Sequence, residues 1–447
     1  MKYEIIKPNL SKIDKPKVIE KAFGSRQKEI TSFLEKINVP KYLYWDYFRY
    51  KKPIPEEFSS EELWFLNKIT RKAKSIQSPI RDENGNYFFW IKLNRIEKLL
   101  HEIDMSAGGE LFLSKGSLKN KQAFISRGVM EEAIASSQLE GASTSRRLAK
   151  EFLREGKSPK NESEQMILNN YLTMKAIEDE YKDRELSMDL IEEIHGMITK
   201  DVPTSDGEVA RLREPNKDDD IVVSDDISGD VYHHAPRADF MRKELNRLIS
   251  FANNNEEESI FIHPIIKAIM VHFWVGYLHP FTDGNGRLAR WLFYWYLVKN
   301  KYWAFIYLPM SRVIKESYKD YLMAYVYSEQ DENDMTYFVD FNIRKIEEAI
   351  REFNNYVKKK EEENLKMNKI AKNNYGFNDR QIQLLQYFYG SPEERTTLKT
   401  HRNIYQVSKA TGIKDLKYLV KKGFLSSKKK GTYVYYYPTD SIKKLFQ

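Results

Sequence analysis

His279-Pro280-Phe281-Thr282-Asp283-Gly284-Asn285-Gly286-Arg287-Leu288-Ala289-Arg290 is the stretch on which the reading of this chain turns. Apolar residues recur at helical spacing on both sides of it: Ile265, Ile269, Trp274 and Leu278 before, and an aromatic run over 291–298 after. Pro280 ends the first helix. Gly284 and Gly286 permit a tight turn in which successive backbone N–H groups converge on an anion, and the second helix begins at its positive end beside that nest. Arg287 and Arg290, at i and i+3, project from its first turn and can clamp phosphate oxygens in fork geometry. Asp283 can hold a divalent cation, and His279 is a candidate general base whose ordinary pKa is near neutral. Residues 284–289 also fit a loose dinucleotide-binding pattern, but that pattern follows a strand; a helix precedes here, so the reading is rejected. A nucleotide-phosphate site remains.

The surrounding chain is 447 residues long, enough for about three domains, and it contains no cysteine. Disulfides, thiolate nucleophiles and thiolate metal sites are therefore excluded, and a reducing compartment is expected. The N-terminus lacks the apolar stretch of a secretory leader, and nowhere do apolar residues run long enough to span a membrane, so a soluble cytoplasmic protein is expected. The net charge of +8 is unevenly spread. Residues 375–447 hold 14 basic and 5 acidic side chains, a net +9, which leaves −1 for everything before them. A phosphate-bearing partner is thus plausible for the tail alone.

Periodicity divides the chain into four parts. Residues 1–118 read as mostly helical, with helices over 60–74 and 90–103 and a hairpin turning at Asn84-Gly85. Residues 119–345 are helical apart from a Gly-, Asp- and Pro-rich stretch over 207–236. There Ile221, Val222 and Val223 pair with Val231, Tyr232 and His233 as two short strands around a turn at 225–229. Ile343, Ile346, Ile350, Phe353 and Val357 mark an amphipathic helix that dissolves into a charge run, giving a connector over 346–374. Residues 375–447 form a last unit.

The quoted stretch resembles the signature of the Fic family, His-x-Phe-x-(Asp/Glu)-Gly-Asn-Gly-Arg-x-x-Arg, and matches it at every fixed position. The resemblance implies a mainly α fold: a Fic-type helical core with a small β-hairpin flap. It also implies transfer of AMP from ATP to a Ser, Thr or Tyr hydroxyl of a protein, with release of pyrophosphate. In that scheme His279 deprotonates the hydroxyl and Asp283 binds Mg²⁺ bridging the α- and β-phosphates. Asn285 and the Gly284 and Gly286 amides hold those phosphates, Arg287 assists the leaving pyrophosphate, and Arg290 reaches the γ-phosphate. The intact Gly-Asn-Gly segment favours nucleotidyl transfer over the phosphoryl transfer of the related Doc group.

Upstream, Ser136 and Glu140 share one helix face at i and i+4, and Gly141 is a suitable helix terminator. The segment is similar to the family's inhibitory motif (Ser/Thr)-x-x-x-Glu-(Gly/Asn), in which the Glu pairs with the second motif arginine, here Arg290, and denies it to the γ-phosphate. The hairpin at 221–233 resembles the family's target-binding flap. A sheet edge can hold any extended backbone by strand addition. His233 and His234 are not expected to bind metal, because neighbours on a strand point to opposite faces, and His272 is expected in the helix core.

In the tail, helices are expected over 379–389, 397–405 and 409–422, followed by a hairpin around Lys428, Lys429 and Lys430. Ile413, Leu416, Leu419 and Val420 form an inward stripe in the third helix. Lys409, Lys414, Lys417 and Lys421 line its outside. The order is similar to a C-terminal winged helix-turn-helix domain, with a lysine-lined recognition helix and a lysine-tipped wing suited to double-stranded DNA. The expected partners are a protein carrying the acceptor hydroxyl, the chain itself as a target, duplex DNA and a second copy of the chain, with no membrane. Two rivals stand beside AMP transfer: removal of AMP by the same site, and a DNA-bound regulator whose core senses ATP.

Overall fold

Polar side-chain caps start several helices of the protein. At Ser59 the hydroxyl accepts from the Glu62 N–H while the Glu62 carboxylate accepts from the Ser59 N–H, a reciprocal capping box. The computed structural model describes residues 3–445 apart from 25, 106–120, 205, 225–228, 255–259, 391, 393 and 432.

The N-terminal part comprises α1 (Lys15–Phe23), α2 (Gln27–Ile37), α3 (Trp45–Phe48), α4 (Ser60–Ala73), β1 (Ser75–Arg81), β2 (Tyr87–Ile91) and α5 (Asn94–Met105). The hairpin turns where Asn84-Gly85 suggested, with Gly85 at φ +82°. The helix expected from position 90 begins only at Asn94, because Phe89, Trp90 and Ile91 pair with β1. The middle runs through α6 (Lys121–Leu139), α7 (Arg146–Glu155), α8 (Glu162–Ala176), α9 (Met188–Thr199), β3 (Val222–Ser224), β4 (Val231–His234), α10 (Ala238–Ala252), α11 (Pro264–Leu278), α12 (Asn285–Lys299), α13 (Met310–Lys315), α14 (Tyr318–Gln330) and α15 (Thr336–Tyr375).

The antiparallel-packed helices α11 and α12 are buried along almost their whole length, as helices apolar all round must be. Trp274, Trp291 and Trp295 are fully buried there, and the Trp291 and Trp295 indole N–H groups donate to the Thr173 and Tyr181 carbonyls. The hydrophobic core around them is continuous from Ile5 to Val357, so the N-terminal part and the middle share one core rather than two. After 345 the chain continues as one helix, α15, through the charge run to Tyr375.

The last part has its own core, including Phe377, Leu385, Phe388, Leu416, Leu419 and Phe424. It holds α16 (Asp379–Gly390), β5 (Thr396–Thr397), α17 (Leu398–Tyr405), α18 (Lys409–Lys421), β6 (Leu425–Lys430) and β7 (Tyr433–Pro438), the strands ordered β5-β7-β6. Thr397 and Ser408 cap α17 and α18. Lys428, Lys429 and Lys430 form the end of β6, opposite Tyr435, Val434 and Tyr433, next to the hairpin turn. Gly431, at φ +61°, lets the chain turn at once, so the lysines stay in the ladder and alternate between its faces.

Candidate active site

The turn between α11 and α12 is built by backbone conformation first. His279 caps α11 in the left-handed region, at φ +47°, where few non-glycine residues sit. Gly284, at φ +83°, opens α12; a Cβ there would lie 2.9 Å from Thr199 Cγ2 and 3.2 Å from His195 Nε2. Leu212 and Phe281 form an antiparallel bridge, and Thr282 N donates to Arg211 O, so residues 211–213 brace the loop from outside.

The Asn285 side chain closes the loop: its oxygen accepts from Phe281 N at 2.8 Å and one amide N–H donates to Phe281 O at 2.7 Å. Phe281 is buried beneath the His195 ring, 3.6 Å away and nearly parallel, and His195 Nε2 meets Asp283 O at 2.8 Å. The first N–H groups of α12 receive no side-chain cap, and together with Gly286 they form the anion nest. Arg287 Nη1 donates to Ile198 O, while Nη2 lies 3.5 Å from Asp283 Oδ2. The Asp283 side chain keeps 39% of its surface exposed.

Ser136, Glu140 and Arg290 come together in this nest. Arg290 Nε donates to Ser136 Oγ at 2.8 Å, and Nη2 to Ser136 O at 3.0 Å and to Glu140 Oε1 at 2.9 Å. Glu140 stands so close to α12 that a Cβ on Gly286 would meet Oε1 at 2.2 Å. Burial alone would raise the Glu140 pKa, but Arg290, then Arg287, hold it below the usual carboxylate value. Gly141 follows at φ +94°, where a side chain would be strained. Glu132, two turns before Glu140 on the same face, is buried and accepts from Tyr294 Oη, Ser311 N and Ser311 Oγ, anchoring α6 to α12 and α13.

The His279 pKa is pushed down to about 4, first by burial and then by the nearby His233, so its ring is neutral at physiological pH. Its Nδ1 faces Gly276 O at 3.4 Å. His272 sits in the core with Nε2 3.0 Å from Tyr321 Oη.

In the hairpin near His279 the first strand is shifted by one residue from expectation, while the second begins at Val231 as expected and runs one residue further. Val222 pairs with His234, Val223 with His233 and Ser224 with Val231, with a bulge before Ser224. Ile221 lies just outside the strand and accepts from Ala235 N. The expected turn, except Gly229, falls outside the described residues. Tyr3 N donates to Val231 O and its ring stacks on Tyr232, so the N-terminal segment occupies part of the β4 side. Exposed Val222 lies on β3. Asp218 and Asp219 bind Arg211 and the N–H groups of Glu214, Asn216 and Ala238. His233 is buried against Glu329 while His234 is exposed.

His195, Arg213 and Glu329 are site residues that no sequence pattern singled out. His195 and Arg213 reach the loop from distant parts of the chain, and Glu329 meets His233. Glu132 did leave a signal, since it continues the four-residue spacing of Ser136 and Glu140.

Together the fold and the loop define a helical domain organised around a single His-to-Arg turn at the positive end of a buried helix. Residues 185–297 match the family described as Fic/DOC, and this segment of the chain is a Fic domain. Among curated relatives, the protein adenylyltransferase Fic of Nematostella vectensis is 26% identical over 199 residues, 43% of either chain. That of Culex quinquefasciatus is 34% identical over 87 residues, 20% of this chain and 16% of its own. The chain thus spans less than half the length of these relatives. Similar solved structures include a Caenorhabditis elegans Fic-1 fragment, 15% identical with TM-score 0.48, covering 75% of this chain and 85% of that one. A Fic family protein of Desulfovibrio desulfuricans is 20% identical with TM-score 0.45, covering 77% and 94%. No helix among the described residues is long and apolar enough to cross a membrane.

Proposed function

We propose that the protein transfers AMP from ATP to a hydroxyl of a protein target, itself included, and is held off by Glu140. The observation that carries this reading is the Arg290 guanidinium, turned toward the anion nest yet occupied by Glu140 and Ser136. Neutral His279 takes the hydroxyl proton as the oxygen attacks the α-phosphorus. The bond from that phosphorus to the bridging oxygen then breaks, and pyrophosphate leaves with the electron pair. The α12 N-terminus and Arg287 stabilise the charge gathering on the leaving group, and Arg290 released from Glu140 reaches the γ-phosphate. Asn285 serves by holding the loop in shape.

The donor set fits Mg²⁺. Asp283 offers one partly exposed carboxylate, whose Oδ1 accepts from Gly284 N at 2.5 Å and whose Oδ2 lies 3.5 Å from Arg287, and such ions are usually held by one or two carboxylates plus substrate phosphates. When bound, the ion neutralises phosphate charge. A target strand adds to the flap along β3, through Val222 and Val223, with Ile221, Val231 and Tyr232 supporting it. The names of the relatives support a nucleotidyl reaction. The last part reads as a winged helix whose exposed Lys409, Lys414, Lys417, Lys421, Lys428, Lys429 and Lys430 meet duplex phosphates.

The test is to incubate Glu140→Gly protein with ATP labelled at either the α- or the γ-phosphate. Protein-bound α-label without γ-label is expected. Bound γ-label would mean phosphoryl transfer and would overturn the reading.

A further inference from the structure

The last carbonyls of a helix have no partner inside it, and four consecutive ones at the end of α11 are met in a single arrangement. Gly276 O faces the His279 ring, and Tyr277 O lies 2.8 Å from His233 Nε2. Arg213 Nη1 donates to Leu278 O at 3.1 Å and to His279 O at 3.2 Å. His233 belongs to β4. Arg213 precedes the flap and also donates to Pro236 O, just beyond β4, and through two nitrogens to Asp218 O. Both side chains are buried, at 5% and 0% exposure.

We propose that His233 and Arg213 are positioning residues for His279, clamping the last turn of α11 to the flap and so fixing where the base meets a hydroxyl presented on β3. The proposal rests on the transferase reading above. Both ring nitrogens of His233 face acceptors, the Glu329 carboxylate at 2.8 Å and the Tyr277 carbonyl at 2.8 Å, so both carry protons and the ring is an imidazolium. Burial opposes that charge, but Glu329 outweighs it and the His233 pKa is raised. Two cations at a helix C-terminus are favourably placed against its dipole.

The same charge acts on the base. His279 is kept neutral by burial first, then by His233, with Arg213 adding to the effect and Glu140 opposing it. The charged and titratable groups facing His233 are Glu329 of α14, Tyr277 of α11 and Arg213; Asp82, Glu83 and Glu244 lie beyond Tyr277. With Nδ1 turned to Gly276 O, Nε2 is left to accept the proton.

The experiment has two readouts. Histidines labelled at Cε1 are titrated by NMR in the native protein, Glu329→Gln and His233→Gln, the last keeping a donor toward Tyr277 O. His279 should titrate about one pH unit higher in both variants, because a nearby positive charge is lost. In a Glu140→Gly background, His233→Phe, which removes donor and charge together, should lower the maximal labelling rate from α-labelled ATP about tenfold or more, since small misplacements of a base are costly. Half-saturating ATP should stay within about twofold, because the nucleotide is held at the other side of the loop. An unmoved His279 titration in the folded variants overturns the proposal, as does a His233→Phe loss that falls on half-saturating ATP. The titration needs no turnover, so absent labelling in the Glu140→Gly background would sink the transferase reading alone.

Discussion

At the residue scale, Glu140 and Gly286 depend on each other. The carboxylate occupies space that any Cβ at 286 would enter, and it lies against the N–H groups that a phosphate would use. Gly286→Ala should therefore destabilise the native protein, by roughly 1–3 kcal/mol for an overpacked contact. It should cost clearly less when Glu140→Gly is already present, because the clash partner is gone. Denaturant unfolding of the four proteins measures this coupling, and strictly additive effects would contradict the placement of Glu140. The ion pair with Arg290 also has a pH signature. The Glu140 pKa is depressed on folding, so its contribution is complete above the unfolded carboxylate value and is lost as pH falls through the folded one. The melting-temperature gap between native protein and Glu140→Gln should stay constant from neutral pH down to about 5 and close only in stronger acid. A gap that closes between neutral pH and about 5 would contradict the assignment.

Among the elements, α6 and the residue that follows it bring one face, repeating every four residues, against α12. Glu132 ties it to α12 and α13, Ser136 and Glu140 hold Arg290, and Glu131 on a neighbouring face binds Arg146 and Lys150 of α7. In the last part, α18 turns Leu416 and Leu419 inward and leaves Lys414, Lys417 and Lys421 exposed. If this helix meets duplex phosphates, Lys417→Ala should weaken binding about equally across sequences and reduce the salt slope by about one. Fluorescence anisotropy with short duplexes over a salt series measures it, and an unchanged slope would remove Lys417 from the interface.

Elements also show what sequence alone could and could not reveal. The loop from His279 to Arg290 was legible because its chemistry is contiguous and flanked by strongly periodic helices. The meeting of Ser136 and Glu140 with Arg290 was legible through the resemblance to the inhibitory motif, helical spacing alone giving only a shared face. The loop-closing role of Asn285 was not legible, because the Phe281 backbone it bonds is brought to the side chain only by the turn itself. His195, Arg213 and Glu329 left no signal, since each acts through carbonyls or a ring brought close only by folding.

At the scale of the whole molecule, the opposite charges of tail and body become one interface. Arg395 pairs with Glu151 at 2.9 Å and Glu155 at 3.2 Å on α7, and Lys399 reaches Gly156 O. The basic last part thus rests on the helix that follows the brake, while α15 joins it covalently to the shared core. Net charge could not reveal this, because it records the balance of each segment and not where the segments meet.

The central proposal is that one glutamate, Glu140, holds an ATP-dependent site shut. The most direct measurement is protein-bound label from α-labelled ATP in native protein, Glu140→Gly and Glu140→Gly/His279→Ala, side by side. Release of Arg290 predicts labelling at least about tenfold above native in the single variant, the size of a modest charge-assisted contact, and its loss in the double variant. Equal labelling of native protein and Glu140→Gly would contradict the account.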